Sequence, residues 1–90
     1  MLTFLRSYIE AGLTMQEFFD YIIKNLVDQP DAVNIQIVEN EKGTLIEVRV
    51  SPEDVAKVVG RKGRIINSLR TLAMTVGARL GQRVRLELIS

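Results

Sequence analysis

An α+β domain, with one three-stranded sheet and three helices packed on a single face in the order α-β-β-α-α-β, is predicted by three observations. Val33 to Ile37 and Ile46 to Val50 each alternate apolar and polar residues at period two, and a polar, glycine-ended link joins them, so they form a hairpin. Two longer stretches, one before the hairpin and one well after it, repeat apolar residues at every third and fourth position, the spacing of a helix lying on a core. In front of the later helix, Gly60-Arg61-Lys62-Gly63 sets two cations between two glycines, a turn that ends one helix and starts the next.

Each element follows from its own residues. Residues 1–13 form an N-terminal extension that Gly12 separates from the rest. Leu2, Leu5 and Ile9 share one helical face with Phe4 and Tyr8 beside it, which suits either a short amphipathic helix docking on a partner or a loosely ordered tail. A single domain then spans residues 14–90. Thr14 is placed as an N-cap with Glu17 completing a capping box, and Leu13 and Phe18 stand at the positions of a hydrophobic staple. Met15, Phe18, Phe19, Ile22, Ile23, Leu26 and Val27 make the buried face of a helix expected to reach about Asp28, ahead of Pro30. The hairpin loop is expected over Glu39 to Gly43.

Ser51 and Pro52 restart helix, with serine as N-cap, proline at the first position and Asp54 at the third. Val55, Val58 and Val59 give this short helix its apolar stripe, and Gly60 stops it. From Arg64 the long helix carries Ile65, Ile66, Leu69, Leu72, Ala73, Val76 and Leu80, and Gly81 is expected just past its end. Gly77 inside it costs about 1 kcal/mol relative to alanine, so close packing is expected there. Val84, Leu86 and Leu88 alternate with Arg83, Arg85 and Glu87 in a third strand, which two intervening helices allow to pair parallel to a neighbour.

Composition narrows the function. The chain has 90 residues, 47% of them apolar and 26% charged, which fits one ordinary globular domain. It contains neither cysteine nor histidine, so disulfides, thiol chemistry and a zinc site are excluded, and no cofactor is expected. Arg6 interrupts the first apolar run, so neither a secretory signal nor a membrane span is expected and the protein should reside in the cytoplasm.

The net charge of +1 conceals a division. Residues 1–56 set four cations against ten acids, a net of −6, whereas residues 57–90 set eight cations against Glu87 alone, a net of +7. A polyanionic partner for the basic part accounts for this, as does simple attraction between the two halves of one fold.

The glycine turn is where the basic half becomes specific. Glycine permits positive φ and leaves no side chain between the main chain and a ligand, and the following helix start offers free N–H groups and partial positive charge. Val59-Gly60-Arg61-Lys62-Gly63-Arg64-Ile65-Ile66 resembles the signature of the KH domain, and the element order resembles its type II form. More narrowly, about 76 residues from Met15, including Leu26-Val27-Asp28-Gln29-Pro30-Asp31 and Val50-Ser51-Pro52-Glu53-Asp54, resemble the KhpA family of small bacterial RNA-binding proteins.

The resemblance implies a type II KH fold and a clamp for about four nucleotides of single-stranded RNA. Carried onto this sequence, Gly60 and Gly63 let the main chain approach, Arg61 and Lys62 meet phosphates, and Arg64 and Lys57 extend the positive rim. Val59 and Ile66 contribute to an apolar floor for bases. Each assignment has a plainer counterpart: core packing for Val59 and Ile66, a bare helix corner for the glycines, solvated charge for Arg61 and Lys62.

All five aromatic residues precede residue 22, so stacking platforms are missing from the basic half. One domain should bind weakly, and useful affinity requires a second module through a homodimer or a partner. The resemblance implies self-pairing and a KhpB (Jag)-like KH-containing protein, with a post-transcriptional or RNA-chaperone role. Two other readings compete: a helix-hairpin-helix-like module on the DNA backbone, and a protein-interaction or dimerisation module with a vestigial loop. An enzyme is not expected, because the sequence has no Gly-Lys-Ser/Thr phosphate loop and no Gly-x-Ser-x-Gly elbow.

Overall fold

A computed structural model describes residues 14–89. Helix α1 spans Met15–Lys24, strands β1 and β2 span Asn34–Asn40 and Gly43–Arg49, helices α2 and α3 span Val55–Val59 and Arg64–Arg79, and strand β3 spans Val84–Leu88. Single 3-10 turns occupy Pro30–Ala32, Pro52–Asp54 and Arg61–Gly63. The sheet order is β1-β2-β3, with β1 antiparallel and β3 parallel to β2. The sheet is therefore mixed, in the type II KH arrangement. The readings made on residues 1–13, including the staple partner Leu13, fall outside the described residues.

Period-two alternation decides which face of the sheet is covered. Ile35, Ile46, Val48, Val84 and Leu86 are buried against Phe18, Phe19 and Ile23 of α1, Val58 of α2, and Ile66, Leu69, Ala73 and Val76 of α3. Gln36, Val38, Arg49 and Arg85 lie on the opposite, open face. Phe18 and Phe19 meet edge to face with ring centroids 5.3 Å apart. The Gln16 side chain donates to the Ile35 carbonyl at 2.7 Å and so fastens α1 to the edge strand β1.

Gly77 does what its place inside a helix suggested. A Cβ there would lie 2.6 Å from Val84 Cγ2 and 2.8 Å from the Gln82 carbonyl oxygen, so its absence lets α3 settle directly on β3. Beyond the helix, Gly81 has φ +70°, the Gln82 amide donates to the Gly77 carbonyl at 2.8 Å and the Gly81 amide donates to that of Ala78 at 3.3 Å. These two bonds are a Schellman cap.

Three expected boundaries move, each for a physical reason. The first helix ends at Lys24 rather than near Asp28, because Asn25 caps it and the backbone amides of Asp28 and Gln29 are drawn away to the buried Asp54 carboxylate at 3.2 and 3.0 Å. The hairpin closes on Glu41 and Lys42 alone, since Asn40 pairs with Gly43 and the Asn40 side chain accepts from the Lys42 amide at 2.8 Å. The second helix starts with a 3-10 turn, Ser51 makes no side-chain cap, and the α-helical part is Val55–Val59 only. At α1 the capping serves as expected on one side: Thr14 Oγ1 accepts from the Glu17 amide at 3.1 Å, and its hydroxyl in turn bonds the Glu17 carboxylate.

Candidate nucleic-acid interface

The turn from α2 to α3 is built on three positions, Gly60, Lys62 and Gly63, whose backbones ordinary side chains avoid. The Gly60 amide closes α2 on the Ala56 carbonyl at 2.9 Å, after which Gly60 itself takes φ +77° and ψ 172°. Only glycine adopts that region readily. A Cβ on Gly60 would also fall 2.6 Å from Ile65 Cγ1, so the position is closed sterically as well as conformationally. Lys62 follows at φ +57° and Gly63 at φ +74°, both left-handed. Around Gly63 space is open, the nearest atom to an added Cβ being Asn67 Nδ2 at 3.7 Å. Glycine is needed there for its φ.

A left-handed lysine costs about 1 kcal/mol. The turn holds it because the Gly63 amide donates to the Gly60 carbonyl at 3.1 Å and α3 begins at once. No side chain caps the N-terminus of α3. Partial positive charge at the helix start therefore adds to that of three exposed cations, Arg61, Lys62 and Arg64, none of which is ion-paired among the described residues. Such a turn can hold a phosphate by main-chain amides and by charge together.

Of the residues singled out in the sequence, Gly60, Arg61, Lys62, Gly63 and Arg64 come together here. Val59 is half-buried at the end of α2, and Ile66 is 6% exposed within the core. The half-buried apolar surface beside the turn belongs to other residues: Ile65 and Leu72 of α3, facing Ile22 and Leu26 across an open groove.

Lys57 lies one turn earlier, and its ammonium is taken by carboxylates. It pairs with Asp28 and stands 3.8 Å from Asp54. The bond to Asp28 raises its pKa above the ordinary lysine value of 10.5, with the charges of Asp28 and Asp54 acting the same way and desolvation opposing them. Lys57 is therefore fully cationic at neutral pH.

Asp54 is a structural support beside the site that sequence reasoning missed. Read as a helix-start carboxylate, it is 1% exposed and receives the two amides of Asp28 and Gln29. The Gln29 side chain meanwhile bonds Glu53. These contacts tie the segment after α1 to the root of α2, the helix that leads into the glycine turn. Nothing in the Ser-Pro-Glu-Asp stretch distinguishes a carboxylate that turns inward from one that caps a helix locally.

The family described as "KhpA/KhpB, KH domain" matches residues 16–88, which takes in the whole sheet, α2, α3, the turn and all of α1 but its first residue. The chain belongs to that family. This KH domain is 44% identical over 73 residues to the RNA-binding protein KhpA of Borreliella burgdorferi, covering 81% of this chain and 89% of the relative. It is 43% identical over 75 residues to the RNA-binding protein KhpA of Chlamydia pneumoniae and 39% identical over 75 residues to that of Aquifex aeolicus, covering 83% of this chain and 96% and 95% of those relatives. No described helix of the KH domain is long and apolar enough to cross a membrane, and its described residues hold no cluster of carboxylates fit for a metal ion.

Proposed function

We propose that the chain binds single-stranded RNA, holding the sugar-phosphate backbone in the Gly60-to-Gly63 turn, and that it serves in the cytoplasm in a post-transcriptional or RNA-chaperone role. The observation that carries this reading is the coincidence of three cations, without an acidic partner among the described residues, with a turn whose backbone is held open by glycine. The name borne by the relatives, RNA-binding protein, supports the same ligand class. Arg61 and Lys62 meet phosphates, Arg64 extends the rim, and Gly60 and Gly63 admit the main chain. Lys57 acts first as a support, through Asp28 and Asp54, and joins the rim only when Asp28 releases it. Val59 borders the site, while Ile66 serves it from within the core.

A single small site gives modest affinity, so a homodimer or a KhpB (Jag)-like KH-containing partner supplies the second module. The hairpin and third strand, and membership of the KH family, favour this reading over a helix-hairpin-helix module on duplex DNA. Replacing Arg61 and Lys62 together by Asp tests it. RNA affinity should fall by more than tenfold while stability changes by no more than about 0.5 kcal/mol, since both positions are exposed. The wild-type affinity should fall with salt at a log-log slope of about −2 to −3, for three or four phosphates at about −0.7 each. Unchanged binding by the double variant, a flat salt response, or tighter binding to duplex DNA would overturn the assignment.

A further inference from the structure

The basic half of the chain divides again in three dimensions. Of its eight cations, Lys57 is neutralised by Asp28 and Asp54, and Arg70 lies 3.7 Å from Glu87. The other six have no acidic partner among the described residues. Arg61, Lys62 and Arg64 stand at the start of α3, while Arg79 ends it and Arg83 and Arg85 follow. Helix α3 has 16 residues, so the two groups are about 24 Å apart at 1.5 Å per residue.

At the far end Arg83 and Arg85, but not Arg79, line a hollow of about 320 Å³ together with Lys42, Asn40, Gly43, Thr44 and Leu45. Its construction is specific. The Thr44 amide donates to the Arg83 carbonyl at 2.7 Å, and Gly43, at φ +134°, brings the hairpin so close that a Cβ would lie 2.4 Å from that carbonyl oxygen. This contact sets Lys42 of the hairpin turn beside the first residues of β3. The pairing of Leu45 with Arg85 places the hollow on the open face of the sheet. Glu39, Glu41 and Gln82 line an adjoining depression that shares Asn40, Lys42, Gly43, Thr44 and Arg83 with this one, so the hollow's cations face acids on one side and Arg85 on the other.

We propose that this hollow is a second phosphate-binding subsite, which takes the continuing backbone of an RNA chain already held at the glycine turn. The inference rests on the RNA reading above and adds to it a length of ligand. From the turn, the RNA passes the edge strand β3, where Arg70 and Glu87 cancel each other, and reaches cations again at Arg85, Arg83 and Lys42. At about 3.4 Å per stacked nucleotide, a separation of about 24 Å corresponds to about seven nucleotides. A tetranucleotide fills one subsite, whereas a dodecanucleotide spans both. Three cations with few apolar neighbours favour a polyphosphate backbone over a protein partner.

Fluorescence anisotropy with random-sequence tetra- and dodecaribonucleotides tests this, using the wild-type chain, Arg83→Glu with Arg85→Glu, and separately Lys42→Ala. All three positions are exposed, and a thermal melt checks that each variant is folded. The wild type should bind the dodecamer about a hundredfold more tightly than the tetramer, well beyond the roughly ninefold that overlapping registers on one subsite give, with a salt slope steeper by about 2 for three further phosphates. The double charge reversal should bring the dodecamer down to the tetramer's salt slope and to within the roughly ninefold preference that overlapping registers on one subsite give, and leave the tetramer unchanged, and Lys42→Ala should act in the same direction by less. A wild-type preference for the dodecamer of about ninefold or less, or a double variant that keeps the larger preference, would overturn the second subsite and leave the glycine-turn reading standing. Binding of neither oligomer would overturn both. Capture of a polyglutamate peptide, lost in the double variant while the dodecamer still binds fully, would make the hollow a site for acidic protein instead.

Discussion

Helix α3 is bracketed by two turns that both use left-handed glycine, and they put it to opposite ends. At the C-terminal turn, Gly81 directs the amides of Gln82 and of its own residue back onto the carbonyls of Gly77 and Ala78, so two of the carbonyls left over by the helix end are satisfied. At the N-terminal turn, Gly60, Lys62 and Gly63 carry the chain into α3 without any side-chain cap, and three cations beside it have no acidic partner among the described residues. The first turn completes a structure. The second leaves donors and charge outstanding, which is what a polyanion needs. A glycine's conformation is thus no guide to its role until the neighbouring backbone groups have been accounted for.

The contrast can be broken most severely at Gly60. Gly60→Val places a β-branched residue at φ +77° with its Cβ against Ile65, and should destabilise the domain by on the order of 3 kcal/mol in urea denaturation. A loss below about 1 kcal/mol would mean that the turn has another conformation open to it. The comparison is sharpened by Gly63→Ala and Gly81→Ala. Each puts a Cβ at a left-handed position with free space around it, so each should lower stability by a similar amount, about 1 kcal/mol. Only Gly63→Ala should weaken RNA binding in a titration; equal weakening by both would erase the distinction between the two turns.

The smallest effect is expected from Asp28→Asn. Asp28 is 76% exposed at its side chain, so its ion pair with Lys57 contributes little to stability. Releasing Lys57 should strengthen RNA binding several-fold and steepen the salt slope by about 0.7, one phosphate's worth. The same pair has a defined pH window. Because the folded state raises the Lys57 pKa, its stabilisation is complete below the ordinary lysine value of 10.5 and fades as pH rises through the elevated one. Thermal melts between neutral pH and pH 10 should therefore show no contribution from Lys57 titration that Asp28→Asn removes.

Much of this was legible before any coordinates. The alternation of Ile35, Ile46, Val48, Val84 and Leu86, the Gly81 stop, the close approach demanded of Gly77, and the Gly60-to-Gly63 turn all depend on neighbours within a few residues or on a simple period. The misplaced end of the first helix has a different cause. Met15 to Val27 reads as a single amphipathic run, yet the helix ends at Lys24, since the amides of Asp28 and Gln29 find a better acceptor in Asp54, about 25 residues further along. Lys57 reads as part of a basic rim because its acidic partner, Asp28, is distant in the chain.

Element types, their order, the buried face of each and the location of the turn follow from local rules of periodicity, capping and glycine conformation, which act over one or two turns of chain. Which cations stay free for a ligand is a question of distance between residues remote in sequence. Folding spends Lys57 on Asp28 and sets Arg70 beside Glu87, and it gathers Lys42 with Arg83 and Arg85 around one hollow. Charge acts through space, so its pattern along the chain becomes meaningful only after the chain has closed on itself.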